Sequence, residues 1–459
     1  MLNKFIGTKK FYKHVMMIVL PIMVQNAISN FVNLLDNIMV GQVGTAEMSG
    51  VSIVNQLFFI YYLCIFGGLS GAGIFTAQYF GQGDNNGIKH TFRYKFWVGA
   101  IVFSIAMIVF YAFGPNLISL YLNGENAGGD LTKALEHGSA YMKISAIGLL
   151  PVMIVNVYAG TLRDCGKTTL PMIASICAVF INLILDWLLI FGHLGLPKMG
   201  VEGAALATVI ARFIEMFIVV IYCHRNTEKL PYIKGVYKTL LVPKENVKEY
   251  FLRGMPLMLN ETLWSAGMAM IMQCYSTRGL EAVAAINIGN TISNVLNVVF
   301  FAMGDAVAII VGQLLGAGNM KEARDTDTKI IAMSFASGLF VSIVLVFLSG
   351  FFPSFYNTSD SVKKLASNVI LLQACFAPFM ALLHSTYFTL RSGGKTVITF
   401  IFDSGFLWVI SFPVAFCLAR FTAAPLVVLI LVDNTINLFK TGFGLYLVKK
   451  GGWMQTITV

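Results

Sequence analysis

The sequence predicts an all-α polytopic membrane protein, with twelve transmembrane helices in two like-oriented six-helix bundles around a central cleft. Three observations predict it. The chain is 57% apolar and only 12% charged over 459 residues, with a mean hydropathy of +0.75; a soluble domain carries about 25% charged residues. The apolar residues gather into runs of about 20, long enough to cross a bilayer as helices. Finally, the chain contains itself twice. Shifted by 235 positions, Pro21 falls on Pro256, Gly44 on Gly279, Asn55 on Asn290, Gln78 on Gln313, Gly81 on Gly316 and Gly83 on Gly318. Shifted by 228, Thr161-Leu162-Arg163-x-x-Gly166-Lys167-Thr168 falls on Thr389-Leu390-Arg391-x-x-Gly394-Lys395-Thr396.

The segments follow in order. Segment 1 (14–39) lies behind a basic N-terminus, and no small-residue cleavage site closes a short apolar stretch, so it reads as a retained helix and not a signal peptide. Segment 2 (47–75) runs toward Gly81-Gln82-Gly83, which reads as a helix terminator. Segments 3 (92–114) and 4 (138–162) follow. The short Leu-Arg-x-x-Gly-Lys-Thr turn then makes segment 5 (168–191) an antiparallel neighbour of segment 4, and segment 6 (202–223) closes the first copy. Segments 7 to 12 (250–275, 281–311, 328–352, 362–390, 396–418 and 423–447) repeat the plan, with Gly316-Ala317-Gly318 ending segment 8. Segments 2, 8 and 10 exceed a straight span, so tilt or extension beyond the bilayer is expected. The domains are therefore 1–223, a linker 224–249, and 250–459.

Lys and Arg set the orientation. The N-terminus and the loops after even-numbered segments hold 23 of the 32, the opposite side holds 7, and Arg212 and Lys440 lie inside segments. The excess places both termini in the cytoplasm. It also explains the net charge of +10 as topology and removes the case for nucleic acid. Six spans per copy bring both copies into the membrane from the same side, so their symmetry axis runs along the membrane normal. In the linker, Leu230, Ile233, Val236, Tyr237 and Leu240 recur at near-helical spacing among Lys234 and Lys238. That pattern suits either a segment on the anionic inner leaflet or an ordinary solvated loop. The seven cysteines are scattered singly, without a C-x-x-C pair, so neither a disulfide framework nor a metal site is expected.

Charges inside spans are costly, and each needs a reason. The two copies differ here: Asp36 meets Ile271, and Asn26 meets Glu261. Asp36, late in segment 1, reads as a cation- or proton-binding carboxylate, or more plainly as an interfacial Asp. Asn182 and Asp186 lie four apart on one face of segment 5, at a depth like that of Asp36. Two carboxylates and an amide suit an oxygen cage for Na⁺ or a shared proton; Asp186 could also cap a helix end. Glu261 follows Pro256 and Asn260 in an apolar setting and suits a cationic substrate, a proton or a structural ion pair. Asp305, Asp403 and His384 rank lower, and Glu215 and Asp433 suit pairing with Arg212 and Lys440. Amides such as Gln25, Asn26, Asn33, Asn55, Asn260 and Asn290 can hold helices together or line a wet cavity. Gly166-Lys167-Thr168 looks like the end of a Walker A loop but lacks its upstream Gly, so an ATPase is excluded.

The chain resembles the multidrug and toxic compound extrusion (MATE) family over essentially its whole length. The resemblance is carried by Asp36-Asn-Ile-Met-Val-Gly41, Gln78-x-x-Gly81-x-Gly83, Leu162-Arg163-x-x-Gly166-Lys167-Thr168, Asn182-x-x-x-Asp186 and Gly203-Ala-Ala-Leu-Ala-Thr208. It implies a bacterial-type antiporter in the plasma (inner) membrane that expels organic cations and drugs by alternating access, coupled to Na⁺ or H⁺. It implies a cation site of Asp36, Asn182, Asp186 and Thr208, with Asp36, Asn182 and Asp186 as Na⁺ ligands if sodium is the ion. Glu261 matches the acid that NorM-type members carry in segment 7, with Gln25, Asn26, Asn33, Asn260 and Asn290 as further substrate contacts. NorM-type members also carry an Asp in segment 10; here Phe379-Met380-Ala381-Leu382 is apolar, which moves the expected ion site to the first bundle. No cofactor beyond the coupling ion, no enzymatic activity and a monomer are expected. The alternative is a flippase for lipid-linked sugars or other anionic lipids, whose cleft would need Arg and Lys where this chain carries mainly acids.

Overall fold

The computed structural model describes residues 5–122 and 131–458, without the side chains of residues 33, 34, 37, 38, 45, 46, 122 and 131. Among the described residues there is no strand. The helices are α1 (Lys9–Gly41), α2 (Thr45–Gln82), α3 (Asn85–Leu122), α4 in two limbs (Leu131–Ile147 and Leu149–Asp164), α5 (Thr169–Phe191) and α6 (Gly200–Arg225). Then come α7 (Lys244–Ser276), α8 (Leu280–Gly316), α9 (Met320–Phe351), α10 (Asp360–Ser392), α11 (Thr396–Phe421) and α12 (Leu426–Lys450).

Ten of these, among the described residues, are long and apolar enough to cross a membrane, and the two limbs of α4 make an eleventh span bent by 40°. The bend falls at Gly148, where Pro151 removes the N–H that would have bonded the carbonyl of Ile147. The twelfth helix, α7, has 33 residues, but Asn260-Glu261-Thr262 interrupts its apolar run. The most apolar window of α3 is only 11% buried within the protein. A helix that apolar and that uncovered is facing lipid. α11 carries two π-helical stretches, Ile401–Gly405 and Leu407–Ser411, the first of which holds Asp403.

The chain divides into two compact units. One comprises the described residues of Met1–Met23, Ala77–Asp84 and Leu252–Val459, the other Val24–Thr76 and Asn85–Phe251. In the first unit, Val15, Ile18, Val19 and Ile22 of α1 pack with Ala302, Met303, Ala306 and Val307 of α8, Phe388 of α10 and Trp453.

The repeat explains a contact in the same unit. A side chain at Gly81 would collide with the backbone of Gln313, and one at Gly316 with the backbone of Gln78. Those four residues are the equivalent pairs of the repeat, so α2 and α8 cross reciprocally, backbone against backbone. The glycines that terminate the helices are instead Gly83 and Gly318, at φ +77° and +75°. Beside the crossing, residues after α12 are bound in place. Ile457 N donates to Gln78 Oε1 at 2.8 Å, Gln455 Nε2 to the Gly393 carbonyl at 2.7 Å, and Trp453 is 1% exposed.

The linker corrects the membrane-surface expectation. Leu230, Ile233 and Val236 are buried within the protein, in a run of turns. Arg93 Nε donates to the Val236 carbonyl at 2.8 Å, Trp97 Nε1 to that of Leu240 at 3.0 Å, and the hydroxyls of Tyr158 and Tyr237 lie 2.7 Å apart. The apolar spacing serves packing on α3 and α4, so those three side chains are not available to a bilayer.

Candidate functional site

In the second unit, α1, α2, α4, α5 and α6 enclose a cavity of about 400 Å³. Asp36, Asn182, Asp186 and Thr208 all line it. Asn182 and Asp186 share a helix face because they lie one turn apart, and Thr208 reaches them from α6: Asn182 Nδ2 donates to Thr208 Oγ1 at 3.4 Å. Asp186 is 1% exposed and Asn182 7%. The carboxyl groups of Asp36 and Asp186 act on each other, with Asn182 beside Asp186. Asp36 Oδ1 and both oxygens of Asp186 are buried and accept no hydrogen bond of ordinary geometry among the described residues. Buried acceptors without donors are costly, so this oxygen set calls for a cation or a proton.

The cavity also holds residues that the sequence did not single out for it: Tyr62, Tyr141, Ser145 and Arg212. Arg212 stands one turn beyond Thr208, and its Nη1 donates to Glu215 Oε2 at 2.9 Å, the pairing expected from the sequence. Tyr141 with Ser145, and Thr208 with Arg212, carry the same i, i+4 spacing that joins Asn182 to Asp186; Tyr62 carries no such signal.

The first unit holds a separate polar network. Asn260, 1% exposed, uses its amide fully. Its Nδ2 donates to Asp403 Oδ2 at 3.0 Å and to Tyr387 Oη at 3.2 Å, while Oδ1 accepts from Ser404 N at 3.2 Å and Ser404 Oγ at 2.7 Å. Lys440 Nζ donates to Asp403 Oδ1 at 2.6 Å. The expected pairing of Lys440 with Asp433 is thereby corrected: Asp433 accepts from Tyr275 Oη at 3.2 Å. Glu261 is approached by Tyr387 Oη at 3.5 Å, at the limit of a hydrogen bond. His384 packs edge-on against Phe301, with ring centroids 5.0 Å apart.

The remaining expected substrate contacts disperse. Gln25 Oε1 accepts from Arg163 Nη2 at 2.9 Å, and Asn290 Oδ1 accepts from Gln373 Nε2 at 3.1 Å. Asn26 is half-buried and lies outside the cavity lining. The side chain of Asn33 lies outside those described.

Comparison with known proteins matches this arrangement to a described family. The MatE family model matches residues 21–188 and 256–417, one match on each copy of the repeat. A probable multidrug resistance protein NorM of Thermotoga maritima is 25% identical over 410 residues, covering 89% of this chain and 86% of that protein. A protein of the same description from Bacillus cereus is 26% identical over 417 residues, covering 89% of each. The crystal structure of the Vibrio cholerae MATE transporter VcmN in its bent form superposes with a TM-score of 0.85 at 16% identity, covering 96% of this chain and 97% of that one. At that identity the likeness establishes the fold.

Proposed function

The chain belongs to the MatE family of membrane transporters, and on that premise we propose that it is a cation-coupled antiporter exporting organic cations and drugs by alternating access. The observation that carries the coupling is the set of buried carboxylate oxygens of Asp36 and Asp186 that find no hydrogen bond of ordinary geometry among the described residues. Two carboxylates that act on each other inside a protein repel when both are charged, and more strongly there than in water. A bound Na⁺ or a proton removes that repulsion. Asp36, Asp186, the Asn182 carbonyl and the Thr208 hydroxyl supply the hard oxygen donors that Na⁺ accepts.

On this reading the ion and the exported compound favour states open to opposite sides, and ion entry at Asp36 and Asp186 reshapes α1. Glu261, whose hydrogen bond among the described residues is a long one, is the acid that meets a cationic compound. The curated relatives bear the name of multidrug resistance proteins, which supports a broad range of small molecules. The protein works in a bacterial inner membrane with both termini cytoplasmic. Arg212 and Lys440, the two cations inside spans, are both engaged by acids, which argues against a phosphate-bearing lipid as cargo.

Dye efflux from energised cells tests the coupling. Wild type exports a cationic dye, and Asp36→Asn loses the export at equal expression; equal export by the two contradicts the assignment.

A further inference from the structure

The two cations inside spans are equivalent positions of the repeat. At the shift of 228 that superposes the Leu-Arg-x-x-Gly-Lys-Thr turns, Arg212 falls on Lys440. Each is the intramembrane cation of the last helix of its copy, yet their surroundings differ. Arg212 is drawn to Glu215, one turn along its own helix, while Asp36 and Asp186 of its cavity keep oxygens without an ordinary hydrogen bond among the described residues. Lys440 reaches across to another helix and bonds the acid there, Asp403, at 2.6 Å. Its side chain is only 5% exposed, and its ammonium lies 5.4 Å and 5.8 Å from the ring centroids of Phe402 and Phe406. Asp403 sits in a π-helical turn, a feature common at functional positions. Its other oxygen is held by Asn260, the neighbour of Glu261.

We propose that Lys440 is a tethered counter-cation: its ammonium gives Asp403 in the second copy the fixed positive charge that an exchangeable ion gives Asp36 and Asp186 in the first, at a position of the repeat different from theirs. It is a positioning residue. By neutralising Asp403 it fixes Asn260 beside Glu261, whose hydrogen bond among the described residues is the long one from Tyr387. The comparison with the first copy borrows the coupling role of Asp36 and Asp186; the pairing of Lys440 with Asp403 stands without it. Removing the ammonium leaves Asp403 in the same buried position with no counter-charge, and a small mobile cation then becomes its natural partner.

The experiment measures the melting temperature of the purified full-length protein in detergent, in NaCl and in choline chloride at equal ionic strength. All variants carry Asp36→Asn, which removes the ion response of the first copy. If Asp36→Asn alone leaves the wild-type response intact, the coupling-site reading fails, and the Lys440 comparison is still read as a difference between variants. With Lys440→Met added, NaCl should raise the melting temperature by about 2 °C or more over choline, as expected for a ligand that binds only the folded state. Adding Asp403→Asn should abolish that gain, and Lys440→Arg should show none. A folded Lys440→Met variant indifferent to Na⁺ overturns the proposal. If Lys440→Met does not fold, folding of the Asp403→Asn/Lys440→Met pair supports charge neutralisation. Failure of both shows that Lys440 serves shape and not charge, and overturns it as well.

Discussion

Asn260 and Glu261 are neighbours in the chain with opposite structural commitments. Asn260 holds two donors and two acceptors in a buried setting, so Asn260→Ala leaves Asp403 Oδ2 and the Ser404 groups without it. Each unsatisfied buried group costs about 1–3 kcal/mol. The variant should therefore melt well below wild type in a thermal assay. Among the described residues Glu261 has one hydrogen bond, at 3.5 Å, so Glu261→Gln should keep the melting temperature within a few degrees of wild type while it weakens export of cationic dyes more than of neutral ones. A loss of stability in Glu261→Gln equal to that of Asn260→Ala would contradict this division. The same scale shows what the chain discloses by itself. Asp36, Asn182 and Asp186 stood out because the repeat breaks at Asp36 and because i, i+4 spacing sets Asn182 beside Asp186, whereas Thr208 came only from the family resemblance. The partner of Lys440 was not. Asp433 is seven residues away on the same helix, about 10 Å along its axis. Asp403 comes from α11, and the register between two helices is fixed by packing that no single helix spells out.

At the scale of elements, the two kinds of glycine at the end of α2 make a paired prediction. Gly81 lies against the backbone of Gln313, so Gly81→Leu forces α2 and α8 apart and should prevent accumulation of folded protein. Gly83 has φ +77° with nothing within 4 Å of an added Cβ. Gly83→Ala should therefore cost only the left-handed backbone penalty, about 1–2 kcal/mol, and still yield folded protein. Fluorescence size-exclusion profiles of the two variants separate these outcomes. Trp453 is buried in the core that α1 and α8 share, so Trp453→Ala should lower stability by about 3–5 kcal/mol, read as a depressed melting temperature. Helix identity and order were plain in the apolar runs, because a bilayer fixes their length. Less plain was the break of α4 at Gly148, whose apolar run continues across the bend. The linker misled for a related reason: near-helical apolar spacing reports that a face is covered, not whether protein or lipid covers it.

For the whole molecule, duplication with unequal chemistry is the organising fact. Each copy supplies six helices and one intramembrane cation in its last helix. One copy keeps a cavity whose carboxylate oxygens find no ordinary hydrogen bond among the described residues, and the other ties Asp403 to Lys440. The central claim is that the first of these sites couples transport to an ion. It is tested most directly with purified protein in proteoliposomes, by imposing a Na⁺ gradient and a pH gradient separately and following a cationic dye. The account predicts that at least one gradient drives dye movement by the wild type, and that Asp36→Asn and Asp186→Asn each reduce it more than 10-fold while still binding the dye. Undiminished gradient-driven transport by both variants would contradict it.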